Sequence, residues 1–271
     1  SASSSRDCPG STAAQLSATA MRHRTNCSWV CVNMLAHCVP PSTMHSTYHP
    51  ASIRAMLKGH EWEGDCKAHV RDSFRLNGTL AVVAGLFYGD WLPVLSEAVG
   101  EGGRVAGFEP TENLHRARAT ADANGLHNVD ANFMCLSNVS MSASMCVRRA
   151  SPGATDGAKD SVLAGQSTLL GSASAARHTG VAAADCLATQ QVECASLDAT
   201  LPWHRRNVSL LLLDVEGHEE EALSGAIRLI SKWKPVLALE AMMKSFPTLK
   251  AQLGERGLRY VPAGRCSGLH F

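Results

Sequence analysis

A chain of 271 residues can bury one large core, or one core with an accessory segment. A net charge of +1 and an aromatic content of 5% leave no basic, aromatic-interleaved surface to grip nucleic acid and no charge block to hold a membrane. No apolar run reaches the length of a bilayer span, so no membrane insertion is expected; because the chain starts at Ser1 and not Met, the lack of a targeting signal decides nothing.

Residues 1–51 are rich in Ser, Ala, Cys, His and Pro without a sustained period, and read as an irregular extension, partly disordered or clipped by cystines. From Ser52 to Phe74 apolar positions recur at helical spacing. TLAVVAGL is then a strand running into a glycine turn, and WLPVLSEAVG a helix ended by Gly100. RVAGFEP is a second strand stopped by Pro110, ENLHRARATADANGL a helix capped at Asn124-Gly125, and NVDANFMCLSN a third strand. Residues 148–188 are Ala-, Ser- and Gly-rich and read as an insertion or lid loop. QVECASLD follows as an extra strand, NVSLLLLD as a core strand, and EEEALSGAIRLISKWK as a helix stopped by Pro235. PVLALE is the next strand, SFPTLKAQLGERG a helix and LRYV a last strand. This alternation predicts an α/β fold, a doubly wound and mostly parallel sheet covered on both faces, as one domain over 52–271.

Ten cysteines are many for this length. Cys8, Cys27, Cys31, Cys38 and Cys66 lie in the first quarter; Cys135, Cys146, Cys186, Cys194 and Cys266 are scattered later, and no CxxC pair occurs. Cys27, Cys31 and Cys38 with His37 loosely match zinc-ligand spacing, but a second paired cluster is missing, so disulfides in an oxidising compartment are the stronger expectation. Asn-x-Ser/Thr triplets at Asn26, Asn77, Asn138 and Asn207 permit the secretory pathway, with a cytoplasmic location left open.

The stretch LLLLDVEG at 210–217 carries most of the functional information. A buried strand delivers Asp214 and Glu216 to its C-terminal edge, where ligands bind in open α/β sheets. Carboxylates placed there must be solvated, paired or used, because burying them unpaired is costly. Glu219, Glu220 and Glu221 have a simpler role, complementing the dipole of the helix that follows. After the first strand, Gly85 and Gly89 form a turn that lets backbone approach a ligand, though not with the dinucleotide GxGxxG spacing. Glu109, twenty residues after Gly89 at the end of the second strand, is placed to accept two hydrogen bonds from a ribose diol.

GLFYGDW, RVAGFEP, GQSTLL, ASLD, LLLLDVEGHEEEALSGA and KPVLALE, in this order from Gly78 to Val261, resemble an FkbM-type methyltransferase of the class I S-adenosylmethionine-dependent group. The resemblance implies a Rossmann-like sheet of seven strands. It implies that Gly85 and Gly89 shape the loop under the methionine part of S-adenosylmethionine and that Glu109 holds the ribose. Leu136, Ser137 and Asn138 would flank the adenine, Asp214 and Glu216 would sit beside the transferred methyl, and Asp198 and Glu240 would complete an acidic rim. The chain departs from the family at Val83, where the first strand usually has an acid, at Leu86-Phe87 inside the loop, and at Leu212. Asp90 is the nearest acid in sequence to stand in for the one missing at Val83.

The expected reaction is methyl transfer to a hydroxyl oxygen of a small molecule or glycan, with Asp214 as first choice of base, Glu216 second, and His218 third because it should face solvent. Three other readings remain: a divalent cation held by Asp214, Glu216 and Glu240, a degenerate fold serving as a binding or regulatory module, and a nicotinamide-dependent oxidoreductase, which the glycine spacing disfavours.

Overall fold

Strand β3 (Leu80–Ala84) and strand β10 (Val208–Leu213) form the centre of the molecule, because their apolar runs can only be satisfied by burial on both faces. The computed structural model describes residues 8, 11–41, 51–148, 168–171, 186–200, 205–240, 246–266 and 269–271. Before β3 come α1 (Ala13–Arg22), the hairpin β1 (Ser28–Val32) and β2 (Leu35–Val39), α2 (Ala51–Leu57) and α3 (Gly64–Ser73). Between β3 and β10 lie α4 (Leu92–Val99), β4 (Arg104–Phe108), α5 (Asn113–Ala123), β5 (Val129–Asn132), β6 (Cys135–Leu136), β7 (Met141–Arg148), β8 (Thr168–Leu169), β9 (Cys186–Ala195) and the short α6 (Leu197–Thr200). After β10 come α7 (Glu219–Ser224), α8 (Ile227–Trp233), β11 (Val236–Leu239), α9 (Phe246–Glu255), β12 (Arg265–Cys266) and β13 (Leu269–His270).

The large sheet has seven strands in the order β12-β13-β11-β10-β3-β4-β5. The run from β11 to β5 is parallel, while β13 pairs antiparallel with β11 and with β12, so the sheet is mixed. Alternate residues of β10 feed two cores: Leu211 and Leu213 join one face with Leu197, Leu223 and Ile230, and Leu210 and Leu212 join the other with Leu92, Leu95 and Leu114. That is the two-faced burial the sequence predicts. Leu258–Val261, read as the last strand, has no strand structure; the closing strands are β12 and β13.

The extension departs from its irregular reading. Helix α1 is capped by Thr12 and Gln15 in a reciprocal capping box, and β1 and β2 pair over five positions. β2 is pinned to α5, with Ala36 N–H donating to Asn124 Oδ1 (2.9 Å) and Cys38 N–H to Thr120 Oγ1 (3.0 Å). The segment read as a helix from Ser52 to Phe74 is two helices broken around Gly59, and the helix read after β10 breaks at Gly225. The predicted third strand splits between two sheets, because β6 leaves β5 and pairs with β9. β6, β9, β7 and β8 make a separate four-stranded sheet, and the two ends of the 148–188 insertion belong to β7 and β9, which pair antiparallel. The lid-loop reading of 149–167 and 172–185 lies outside the described residues.

All ten cysteines are paired, as Cys8–Cys31, Cys27–Cys38, Cys66–Cys266, Cys135–Cys194 and Cys146–Cys186. This replaces the zinc alternative at Cys27, Cys31 and Cys38 and fits a secretory or extracellular protein. Asn26, Asn77, Asn138 and Asn207 are exposed, and no described helix is long and apolar enough to cross a membrane.

Candidate active site

The ends of β3 and β10 touch where the glycine turn begins. A Cβ on Gly85 would lie 1.8 Å from the carbonyl oxygen of Asp214, and Gly85 has φ +85°, so only glycine lets these two strand ends run side by side. Asp214 N–H donates to Ala84 O and Gly85 N–H to Phe108 O, both at 3.0 Å, which fixes the turn against its neighbours on either side. Phe87 sits in the left-handed region (φ +50°), and its N–H donates to Glu109 Oε2 at 3.0 Å. Glu109 is 6% exposed, and its other oxygen accepts the N–H and the hydroxyl of Thr111. Burial raises its pKa, opposed by these hydrogen bonds. Glu109 therefore stands beside the turn as expected, and it also braces the turn.

Asp214, Glu216 and Glu240 each place a carboxylate oxygen within 4.8 Å of the others. The Asp214 and Glu240 carboxylates lie close enough that ionising both is costly. Burial first, and then the neighbouring charge, hold the Asp214 pKa well above the usual range; burial raises that of Glu240 too. Glu216 (φ +53°) and Gly217 (φ +94°) form a left-handed corner. That corner is held from both sides: Thr168 Oγ1 of β8 donates to Glu216 O (3.0 Å), and Glu219 Oε1 accepts the N–H groups of Val215 and Gly217, each at 3.2 Å. Glu219 is 2% exposed and its pKa is pushed up to about 7 by burial.

Three residues are placed differently from the sequence reading. His218 does not face solvent: it is 3% exposed, with Nε2 3.2 Å from Ser137 Oγ and Nδ1 3.5 Å from the Glu221 carboxylate, and burial lowers its pKa. Its ring joins α7 to the buried Ser137, while Asn138 beside it is exposed. Asp198 is not on the rim, since its oxygens accept the N–H groups of Arg228 (2.8 Å) and Leu229 (2.9 Å) and cap α8. Asp90 is buried in an ion pair with Lys67 at 3.0 Å and is not a free substitute for the acid absent at Val83. Gly225 explains the glycine of LSGA, because a Cβ there would lie 2.0 Å from Ser137 O.

Sequence reasoning missed Glu63, Lys67, Thr168 and the bracing role of Glu219. Glu63 carries no motif; its only signal is an acid opening a helix in sequence. In the structure its Oε2 accepts the indole N–H of Trp91 at 3.0 Å, and its charge reaches Asp214 and Glu240, contributing to the raised pKa of both. Lys67 is 2% exposed, an unusual place for a lysine, and lies 5.5 Å from the Trp91 ring centre.

The family model described as the methyltransferase FkbM domain matches residues 65–260, and the chain belongs to that family. Among solved structures it is similar to the FkbM methyltransferase from Methylobacillus flagellatus KT, at 16% identity and a TM-score of 0.41 over 81% of this chain. The chain spans about half that protein's length (52%). A SAM-dependent methyltransferase from Aquifex aeolicus is similar at 14% identity and a TM-score of 0.21, over 34% of this chain and 74% of its own. No curated protein matches the sequence significantly.

Proposed function

We propose that the protein transfers a methyl group from S-adenosylmethionine to a hydroxyl oxygen of a small molecule or glycan. The close carboxylate pair Asp214–Glu240 beside the glycine turn carries this reading. The residues fit the cofactor: Gly85 and Gly89 (φ +81°) open and close the turn in left-handed conformations, Glu109 ends β4 beside it, and an acidic edge suits a cationic ligand. When bound, S-adenosylmethionine supplies a methyl on a positively charged sulfur. Asp214 is the base in this reading, since a carboxylate with a raised pKa accepts a hydroxyl proton more readily than an ordinary one, and Glu240 carries the pair's other charge state. Glu216 lines the acceptor side, its backbone held by Thr168. His218 serves as a brace for Ser137, not as the base.

Calorimetric titration with S-adenosylmethionine and S-adenosylhomocysteine, with NAD as control, is the primary test. Micromolar binding of both, tighter for the charged sulfonium, is expected, with no NAD response; absence of binding by folded protein would favour a degenerate binding module. Asp214→Asn should slow turnover by roughly a hundredfold or more with little change in cofactor affinity, and an unchanged rate would remove Asp214 as the base. The three-carboxylate triangle also suits a divalent cation, which titration with Mg²⁺ or Ca²⁺ alone would detect.

A further inference from the structure

We infer that Glu63 receives the α-ammonium group of the cofactor's methionine end, an assignment that rests on S-adenosylmethionine being the cofactor. An ammonium entering a partly dry pocket needs a carboxylate or several carbonyls to replace its water. Strand β3 is apolar from Leu80 to Ala84 and supplies no acid. The other acids near the turn are engaged: Glu109 by Phe87 and Thr111, Asp90 by Lys67, and Glu219 by Val215 and Gly217, while Asp214, Glu216 and Glu240 crowd one triangle on the acceptor side. Glu63 takes one donor on Oε2, from Trp91, while Oε1 has no hydrogen-bond partner among the described residues.

Its placement is constrained from three directions. Trp91 directly follows the glycine turn and leads into α4, so the indole ties Glu63 to the loop that cradles the cofactor. Lys67, one turn along α3 from Glu63, packs against the Trp91 ring and anchors Asp90 of the same loop. The backbone of Glu63 is left-handed (φ 52°, ψ 33°), a conformation that costs a non-glycine residue energy and that surrounding structure must enforce. Held by Trp91, two residues past Gly89, Glu63 stands beside the glycine turn, and its charge adds to that of Asp214 and Glu240. A cation bound there would relieve like-charge repulsion among them.

The test is calorimetric titration of the full chain and of Glu63→Gln with S-adenosylmethionine and with 5′-methylthioadenosine, which lacks both the ammonium and the carboxylate. Glu63→Gln keeps an oxygen for Trp91 but removes the charge. It should weaken S-adenosylmethionine about tenfold to a hundredfold, the range for losing a charge-assisted bond, and leave 5′-methylthioadenosine within about twofold. Glu63→Asp, with the charge kept, should bind S-adenosylmethionine more tightly than Glu63→Gln, and a thermal melt of each variant confirms folding. Equal weakening of both ligands, or an unchanged S-adenosylmethionine titration, overturns the assignment. Failure of the unmodified chain to bind either ligand would instead overturn the cofactor reading itself.

Discussion

Strand β10 buries Leu210 to Leu213 completely between β3 and β11, with helices on both faces. The four-stranded sheet of β6 to β9 rests on six small or medium residues, Cys135, Ala143, Met145, Leu169, Val192 and Cys194, and carries two disulfides. The extension is similar: its small clusters hold the hairpin with Cys8–Cys31 and Cys27–Cys38. The large core carries one disulfide, Cys66–Cys266 at its edge strand, whereas each small region carries two, which limit the unfolded chain where burial is scarce. The contrast extends to charge. The ends of the large sheet hold acids that resist ionisation, whereas the hairpin holds His37, 5% exposed, whose pKa burial lowers to about 4.

The largest effect that would sharpen this contrast comes from removing Cys135–Cys194. With Cys146–Cys186 intact inside it, this bond closes a loop of about 20 residues, corresponding to about 3 kcal/mol in the chain-entropy treatment. In the double serine variant, amide exchange should quicken across Met141–Met145 while Leu210–Leu213 stays protected; equal loss in both would show one cooperative unit and break the comparison. Alkali should act on the other region. The Glu219 pKa is raised above its unfolded value to about 7, so its stabilising share is complete below about 4.5 and is lost as pH rises through 7. The shift corresponds to roughly 3 kcal/mol, and Glu219→Gln should flatten the decline in melting temperature between pH 5 and 8. His37 runs the opposite way, favouring the fold above about 6.5 and withdrawing support as pH falls toward 4. The smallest effect tests the seam between the regions: Thr168→Val removes one hydrogen bond to Glu216 O and should cost about 1 kcal/mol in a thermal melt.

The large sheet was legible because LAVVA, RVAGF and LLLLD are long apolar runs that can satisfy themselves only as buried parallel strands. The positions of Asp214, Glu216, Glu240 and Glu109 were legible for the same reason, since a strand that ends in an acid puts it on the sheet edge. Asp198 looked the same in sequence, but the strand before it stops at Ala195, and its carboxylate meets α8 through a contact thirty residues away in the chain. His218 was misread because solvent exposure at a helix start is a local expectation, while its burial depends on Ser137. The hairpin sheet and the capped helix of the extension lack strong periodicity, and their order comes with cystine pairings that spacing cannot assign.

Cys66 and Cys266 join helix α3 to β12 across 200 residues. Under oxidising conditions Cys8–Cys31 and Cys27–Cys38 can close once Cys38 has emerged, but Cys66 must wait for the 200 residues that lead to Cys266. At typical elongation rates that delay is about 10–40 s, during which Cys66 is a thiol two residues past the first glycine of α3. A chain cut short before β12 would keep that thiol unpaired, so this bond closes only after every strand from β3 to β11 has been made.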